Sequence, residues 1–161
     1  MLPLQAGPQD ARGLRSLLSW PERLVAALLF SVAALAAALV AWAALGSDDH
    51  PVVVRAVASA ALAGAVVGLA LAGPLVRRPA GRALVLIGAA GGVAMHPIAW
   101  TVFVLWTWTA AWVEGRVPAG SLLEGLFDVL VWSVPSASYG AVVTIPAMIG
   151  AAWATRRALA R

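Results

Sequence analysis

The chain has 161 residues, of which 62% are hydrophobic and 11% are charged, and its formal net charge is +4. A soluble globular domain carries about 25% charged residues, so this composition excludes that class and indicates one integral membrane domain over residues 1–161. The sequence contains no cysteine, which excludes disulfide bonds, thiolate catalysis and cysteine metal sites.

Four stretches without charged side chains follow one another along the chain, at residues 24–47, 56–76, 83–113 and 129–155. A helix needs roughly 20 apolar residues to cross about 30 Å of hydrocarbon, so each stretch is long enough to span a bilayer. We predict an all-α membrane protein, a four-transmembrane-helix up-and-down bundle. Its approximate spans are residues 22–45, 52–76, 83–112 and 136–155.

The first predicted helix begins near Ser19. Glu22 follows three residues later, which is the capping-box pattern, and Pro21 lies in the first turn, where its missing N–H costs nothing. Residues 46–51 then form a short turn that is rich in polar residues. The first two spans are therefore expected to form an antiparallel hairpin.

The second and third spans carry the motifs Gly64-x-x-x-Gly68 and Gly88-x-x-x-Gly92. This spacing lets helix backbones approach closely. Counted at about 1.5 Å per residue from the arginine-flanked ends, the two motifs lie at comparable depth. We therefore expect spans two and three to pack against each other there, while a homodimer face is the alternative use of these glycines.

The last third of the chain is longer than one span requires. Ser121 and Glu124 repeat the capping-box pattern, apolar residues recur at helical spacing, and Pro135 interrupts before the final run. This pattern predicts an extra amphipathic interfacial helix over residues 121–134 on the outer side. A single long, kinked helix that continues into span four is the competing interpretation.

The arginines favour every second connection of the predicted bundle. Nine of the eleven lie before span one, between spans two and three, or after span four, whereas Arg55 and Arg116 lie on the other side. The positive-inside rule therefore places both termini in the cytoplasm. Because the basic residues flank the spans, we expect no nucleic-acid partner. The absence of lysine beside abundant alanine, glycine and arginine favours a bacterial inner membrane.

Several polar and aromatic side chains that are candidates for ligand binding map to the outer half of the predicted bundle. They are Arg55, His96, Trp100, Glu124, Asp128 and Tyr139. One intramembrane histidine supplies too few ligands for haem or zinc, so we predict no metal site and no cofactor. The cluster would form a polar pocket that opens outward.

Two of these residues each have a structural and a functional interpretation. His96, which precedes the helix-kinking Pro97, is either a hydrogen-bonded core residue or a direct participant in proton or anion chemistry. In one interpretation Arg55 extends to the outer headgroups or pairs with Asp48 or Asp49 in the turn between spans one and two. In the other it forms a buried ion pair with Glu124 or Asp128.

The sequence shows no catalytic constellation or phosphate-binding loop, so we predict a protein that is not an enzyme. The leading hypothesis is an accessory, assembly or scaffold component acting through helix packing and an outward-facing polar surface. Its partners would be the lipid bilayer and other membrane proteins or a second copy of itself. Two alternatives stay open, an oligomeric small transporter or channel with an outer-half polar pocket, and an intramembrane enzyme using His96 with Glu124 or Asp128.

Overall fold

The computed structural model describes residues 19–45, 50–77, 81–118 and 120–159. Over these residues the chain forms four helices and no strand: α1 Trp20–Leu45, α2 His50–Arg77, α3 Arg82–Val113 and α4 Leu122–Leu159. Each helix is long and apolar enough to cross a membrane. The prediction of an all-helical chain with four candidate spans is therefore confirmed.

The first turns of α1 and α4 are held by contacts between a serine and a glutamate, which form the full reciprocal capping box at α4 only. At α1, the Glu22 carboxylate accepts hydrogen bonds from the Ser19 backbone N–H at 2.7 Å and from the Ser19 hydroxyl at 3.0 Å. At α4, the Glu124 carboxylate accepts the Ser121 N–H at 2.6 Å, and Ser121 Oγ accepts the Glu124 N–H at 3.2 Å. These contacts satisfy N–H groups that a helix start otherwise leaves unpaired.

The helices run up and down, and each packs against its neighbours in the order α1, α2, α3, α4, with α4 closing the ring against α1. The interior is filled mainly by small residues, with a few larger side chains that are fully buried: Phe30, Leu75 and Met148. A core of alanine and glycine lets the four helix axes lie close together. Helices in a membrane associate through such close packing, because lipid tails are as apolar as the side chains and the hydrophobic effect does not favour helix contacts.

The paired glycines of α2 face α1. A Cβ atom on Gly64 would lie 2.5 Å from the Phe30 carbonyl oxygen, and one on Gly68 would lie 2.5 Å from the Ala26 carbonyl oxygen. Backbone atoms cannot yield in the way that a flexible side chain can. The α1–α2 contact therefore requires glycine at both positions.

The paired glycines of α3 face α4. A Cβ atom would lie 2.6 Å from the Ile149 Cα atom at Gly88, and 3.0 Å from the Ile145 Cα atom at Gly92. The expectation that α2 and α3 pack through their glycine pairs is therefore wrong. Each pair packs within its own hairpin, because the spacing identifies a smooth helix face but not the helix that covers it.

A different glycine faces α2 from α3. A Cβ atom on Gly91 would lie 3.0 Å from the Leu71 side chain and 3.1 Å from the Val67 side chain. The contact between the two hairpins is thus made by side chains over a glycine. It is less close than the backbone contacts inside each hairpin.

Helix α4 is continuous over Leu122–Leu159, with Pro135 and Pro146 inside it. The separate outer helix expected at 121–134 is therefore not a separate element, and the chain adopts the competing single long helix. A proline removes one backbone hydrogen bond. Ending the helix there would leave several more backbone groups without intrahelical partners.

The two ends of the bundle differ in charge. One end, here called the arginine-rich end, is where α1 and α3 begin and α2 and α4 end; it carries Arg23, Arg77, Arg82, Arg156 and Arg157. The opposite end carries Arg55, Arg116, Glu114, Glu124 and Asp128. Four further arginines of the predicted pattern, Arg12, Arg15, Arg78 and Arg161, lie outside the described residues.

Arg156 also joins two helices at the arginine-rich end. Its guanidinium donates to the Leu75 carbonyl oxygen at 3.3 Å. This carbonyl is in the last turn of α2, where intrahelical donors are missing and the helix dipole favours a cation. The contact therefore caps α2 and ties α4 to it.

The close contact at Gly88 generates a stability prediction. Gly88→Ala places a methyl group against the Ile149 backbone and should destabilise the protein by about 1–3 kcal/mol, the usual cost of overpacking. Gly150→Ala is the matched control, because a Cβ atom there meets nothing within 4 Å. Thermal unfolding in detergent, followed by circular dichroism, should show a lower midpoint for Gly88→Ala only. Equal midpoints for the two variants would contradict the packing described here.

Candidate functional site

A buried contact between polar side chains joins α3 to α4. His96 is only 6% exposed. Its Nδ1 atom lies 2.8 Å from Ser136 Oγ, and its Nε2 atom lies 3.2 Å from Thr144 Oγ1. A neutral imidazole has one donor and one acceptor nitrogen, and a hydroxyl group serves as either partner, so both ring nitrogens are satisfied.

The helix α4 is shaped to receive this ring. Ser136, Gly140 and Thr144 are spaced four residues apart, so they form one stripe along the helix. A Cβ atom on Gly140 would lie 2.7 Å from the His96 Cε1 atom. Gly140 therefore leaves the gap in which the imidazole sits, with one hydroxyl group above it and one below it. We call these four residues the histidine clamp.

On α3, the histidine clamp adjoins a proline. Pro97 has no N–H to donate to the Val93 carbonyl, so the helix loses one hydrogen bond beside His96. One turn later the Thr101 hydroxyl donates to the Pro97 carbonyl oxygen at 2.8 Å. Hydroxyl groups that bond to the backbone in this way are common in membrane helices and help them to tolerate proline.

Aromatic side chains cover the clamp on the side that faces away from the arginine-rich end. Trp100, one turn beyond His96, stacks on Trp132 of α4 with ring centroids 6.2 Å apart. Phe103 meets Trp100 edge to face at 5.6 Å. Trp100 is thus placed near His96, as expected for a pocket wall, but its own ring is engaged in aromatic packing.

The other predicted site residues do not join His96. Arg55 is half-buried on α2 and forms no ion pair with Glu124 or Asp128. Glu124 is engaged in the capping box of α4. Asp128 is exposed on α4, and Tyr139 is 85% exposed. The structure therefore does not join Arg55, Glu124, Asp128 or Tyr139 to His96 by any hydrogen bond or ion pair among the described residues.

The described residues also contain an ion pair, but no group of side chains that could hold a metal ion. The ion pair within the described residues joins Arg116 to Glu114, beside the end of α3. No group of three His, Asp or Glu side chains there lies close enough to hold a metal ion. Asp48 and Asp49, the other acids considered for Arg55, lie outside the described residues.

One sequence pattern indicates the clamp, although the prediction from single residues did not include it. Small or hydroxyl residues at 136, 140 and 144 have the four-residue spacing of a helix stripe. A single intramembrane histidine on the preceding span needs such a stripe to satisfy both nitrogens. Finding the pair requires the register of α3 against α4, which the sequence alone does not provide.

These features define the class of the protein: a helical-bundle membrane protein with four candidate spans. Its interior is closed by small residues, and its buried histidine is bonded to neighbouring hydroxyl groups. Comparisons with protein-family models, with curated proteins and with solved structures found no match to this chain.

The clamp predicts an energetic coupling between two residues. Gly140→Ala drives a methyl group into the His96 ring and should cost about 1–3 kcal/mol of stability. The same substitution in a His96→Ala background has room for the methyl group and should cost little. Melting midpoints of the wild type, both single variants and the double variant form the required cycle. Additive effects would show that the two residues do not meet.

Proposed function

We propose that this chain is an accessory, assembly or scaffold component of a bacterial inner membrane. The observation that carries the proposal is the histidine clamp, in which the buried polar groups bond to one another. Such groups stabilise a helix interface, whereas transport or catalysis needs polar groups that face a cavity or pathway. Their arrangement in the described bundle supports a protein that acts by binding other membrane proteins or a second copy of itself.

The membrane orientation belongs to the same proposal. Both termini lie in the cytoplasm, with the arginine-rich end on that side. The support is the distribution of arginines along the chain, nine against two, together with their position at one end of the described bundle. The opposite end would then face outward.

Helices α3 and α4 are too long for the hydrocarbon layer. Counted from Arg82 and Arg156 at about 1.5 Å per residue, about 30 Å is crossed near residues 102 and 136. We name the described residues beyond these points, 103–118 and 120–135, the projecting hairpin. In this proposal its α4 strip, residues 122–134, continues span four outward through the headgroup region as part of the same helix.

The projecting hairpin is the surface through which the protein would act. It combines exposed apolar side chains, among them Trp112, Leu123, Phe127 and Leu130, with the charges of Glu114, Arg116 and Asp128. Exposed apolar area rimmed by polar groups is typical of protein contact sites. Hydrocarbon does not cover this region, so a membrane partner would gain by burying it.

The orientation is tested by labelling single cysteines, which is clean because the chain has none. Val117→Cys lies at a 92% exposed position on the projecting hairpin, and Ala158→Cys lies near the end of α4. A membrane-impermeant maleimide should modify Val117→Cys in intact spheroplasts, and Ala158→Cys only after permeabilisation. The reverse pattern would overturn the orientation.

The accessory role is tested by purification in mild detergent with mass spectrometry. A companion protein should be recovered at a stoichiometric ratio, and Phe127→Ala should reduce that recovery about tenfold or more, as expected for an interface aromatic. Val142→Ala is the matched control, an exposed α4 residue within the hydrocarbon layer. Recovery of the protein alone, with solute flux in liposomes, would favour the transporter or channel instead.

A further inference from the structure

The arginine-rich end of the bundle has an excess of positive charge. Five arginines of the described residues lie there, and Glu22 on α1 is the only acid that the described residues place beside them. The Glu22 carboxylate accepts two hydrogen bonds from Ser19. The described ion pair, Arg116 with Glu114, lies at the opposite end. The arginine-rich end therefore attracts anionic groups from outside the chain.

Two of these arginines flank the line of contact between α3 and α4, here called the seam. Gly88 of α3 lies against Ile149 of α4. Arg82 is six residues before Gly88, and Arg157 is eight residues after Ile149. Because the two helices are antiparallel, both arginines lie beyond this contact in the same direction, by about 9 Å and about 12 Å. Both side chains are exposed, at nearly the same level of neighbouring helices.

The walls of the seam next to these arginines are apolar. Val85 is three residues before Gly88, and Trp153 is four residues after Ile149, so each lies on the helix face that is turned towards the other helix. Val85 is 48% exposed and Trp153 is 52% exposed, which places both at the lipid-facing edge of the contact. An acyl chain can pack against them there. We call Arg82, Val85, Trp153 and Arg157 the seam site.

Arg157 is held in position by its aromatic neighbour. Its guanidinium carbon lies 3.6 Å from the Trp153 ring centroid. This cation–π contact restrains the side chain without giving its charge an acidic partner. The N–H donors of a guanidinium form a fork that matches phosphate oxygens. Because the side chain is already restrained, less conformational freedom is lost when a phosphate group binds.

We infer that the seam site binds an anionic phospholipid. Arg82 and Arg157 hold the phosphate group, and an acyl chain lies against Val85 and Trp153. Both arginines lie where the hydrocarbon layer begins when depth is counted from Arg82 and Arg156, which is the level of lipid headgroups. The inference goes beyond the proposed function. It requires the bundle to lie in a bilayer, but it requires neither the protein partner nor the orientation of the termini.

The test compares phosphatidylglycerol with phosphatidylcholine of the same acyl chains, each added to the full-length protein in dodecyl maltoside. With phosphatidylglycerol near one hundred times its dissociation constant, the melting midpoint should rise by roughly 5–10 °C. Phosphatidylcholine carries no net charge and should give a smaller rise. Glycerol phosphate, which has no acyl chains, should also give a smaller rise.

Three variants separate the seam site from simple charge. Arg82→Gln and Arg157→Gln each remove one partner of the phosphate group, and each should lower the affinity for phosphatidylglycerol about tenfold, as expected for one lost charge-assisted hydrogen bond. Titration of the midpoint with lipid measures this affinity. Arg23→Gln is the matched control, because it removes the same charge from the same end but lies on α1, outside the seam. It should keep the affinity of the wild type.

Three outcomes would overturn the seam site. Wild-type affinity in both Arg82→Gln and Arg157→Gln would show that these arginines do not hold the phosphate group. An equal loss of affinity in Arg23→Gln would reduce the effect to the net charge of this end. A midpoint rise with phosphatidylcholine or glycerol phosphate that equals the rise with phosphatidylglycerol would show that the site does not select an anionic phospholipid.

Discussion

The close approach of α3 and α4 is the contact on which the rest of the structure depends. Gly88 and Gly92 let the backbone of α3 lie against that of α4 at Ile149 and Ile145. At this separation His96 reaches the hydroxyl groups across the interface, and further along α3 the tryptophans stack. With a bulkier residue at Gly88, the ring of His96 would move away from its partners.

The bundle is assembled from two hairpins that are closed by the same device. Glycines give α1–α2 and α3–α4 their backbone contacts, while α2 and α3 meet through side chains over Gly91. Inside lipid, packing and interhelical hydrogen bonds drive association. The strongest contacts are therefore expected within hairpins, with Arg156 adding a polar tie between α4 and α2 at the arginine-rich end.

The helices could be predicted from the sequence, because length and composition decide whether a segment spans a bilayer. The capping contacts at Ser19 and Ser121 could also be predicted, because each partner lies three residues further along the chain. Contacts between helices could not be predicted from the sequence. The glycine spacing did not identify the partner helix. Pro135 did not end α4, because a proline removes one backbone hydrogen bond whereas a helix end leaves several backbone groups unpaired.

The register between α3 and α4 explains why the histidine clamp was missed. Contacts run from Gly88 with Ile149 to Val104 with Gly125, so sixteen residues of α3 lie along twenty-four residues of α4. The two helices run in step from Gly88 with Ile149 to His96 with Gly140, and the additional residues of α4 lie beyond the clamp, in the segment that contains Pro135. The outer polar cluster was inferred from depth along each helix, which does not say which face of the helix a side chain occupies. Asp128 is exposed, and the bonds of His96 are to Ser136 and Thr144.

The position of the clamp links stability to the proposed role. His96 lies about 21 Å along α3 from Arg82, so in the proposed orientation it lies about 9 Å inside the point where the projecting hairpin begins. Beyond it, lipid tails no longer cover the exposed apolar residues of the hairpin, such as Phe127. A surface of this kind is useful for binding only if its orientation is fixed before a partner arrives. In the proposed role, the clamp would provide that rigidity by joining α3 to α4 with polar groups that are bonded inside the protein.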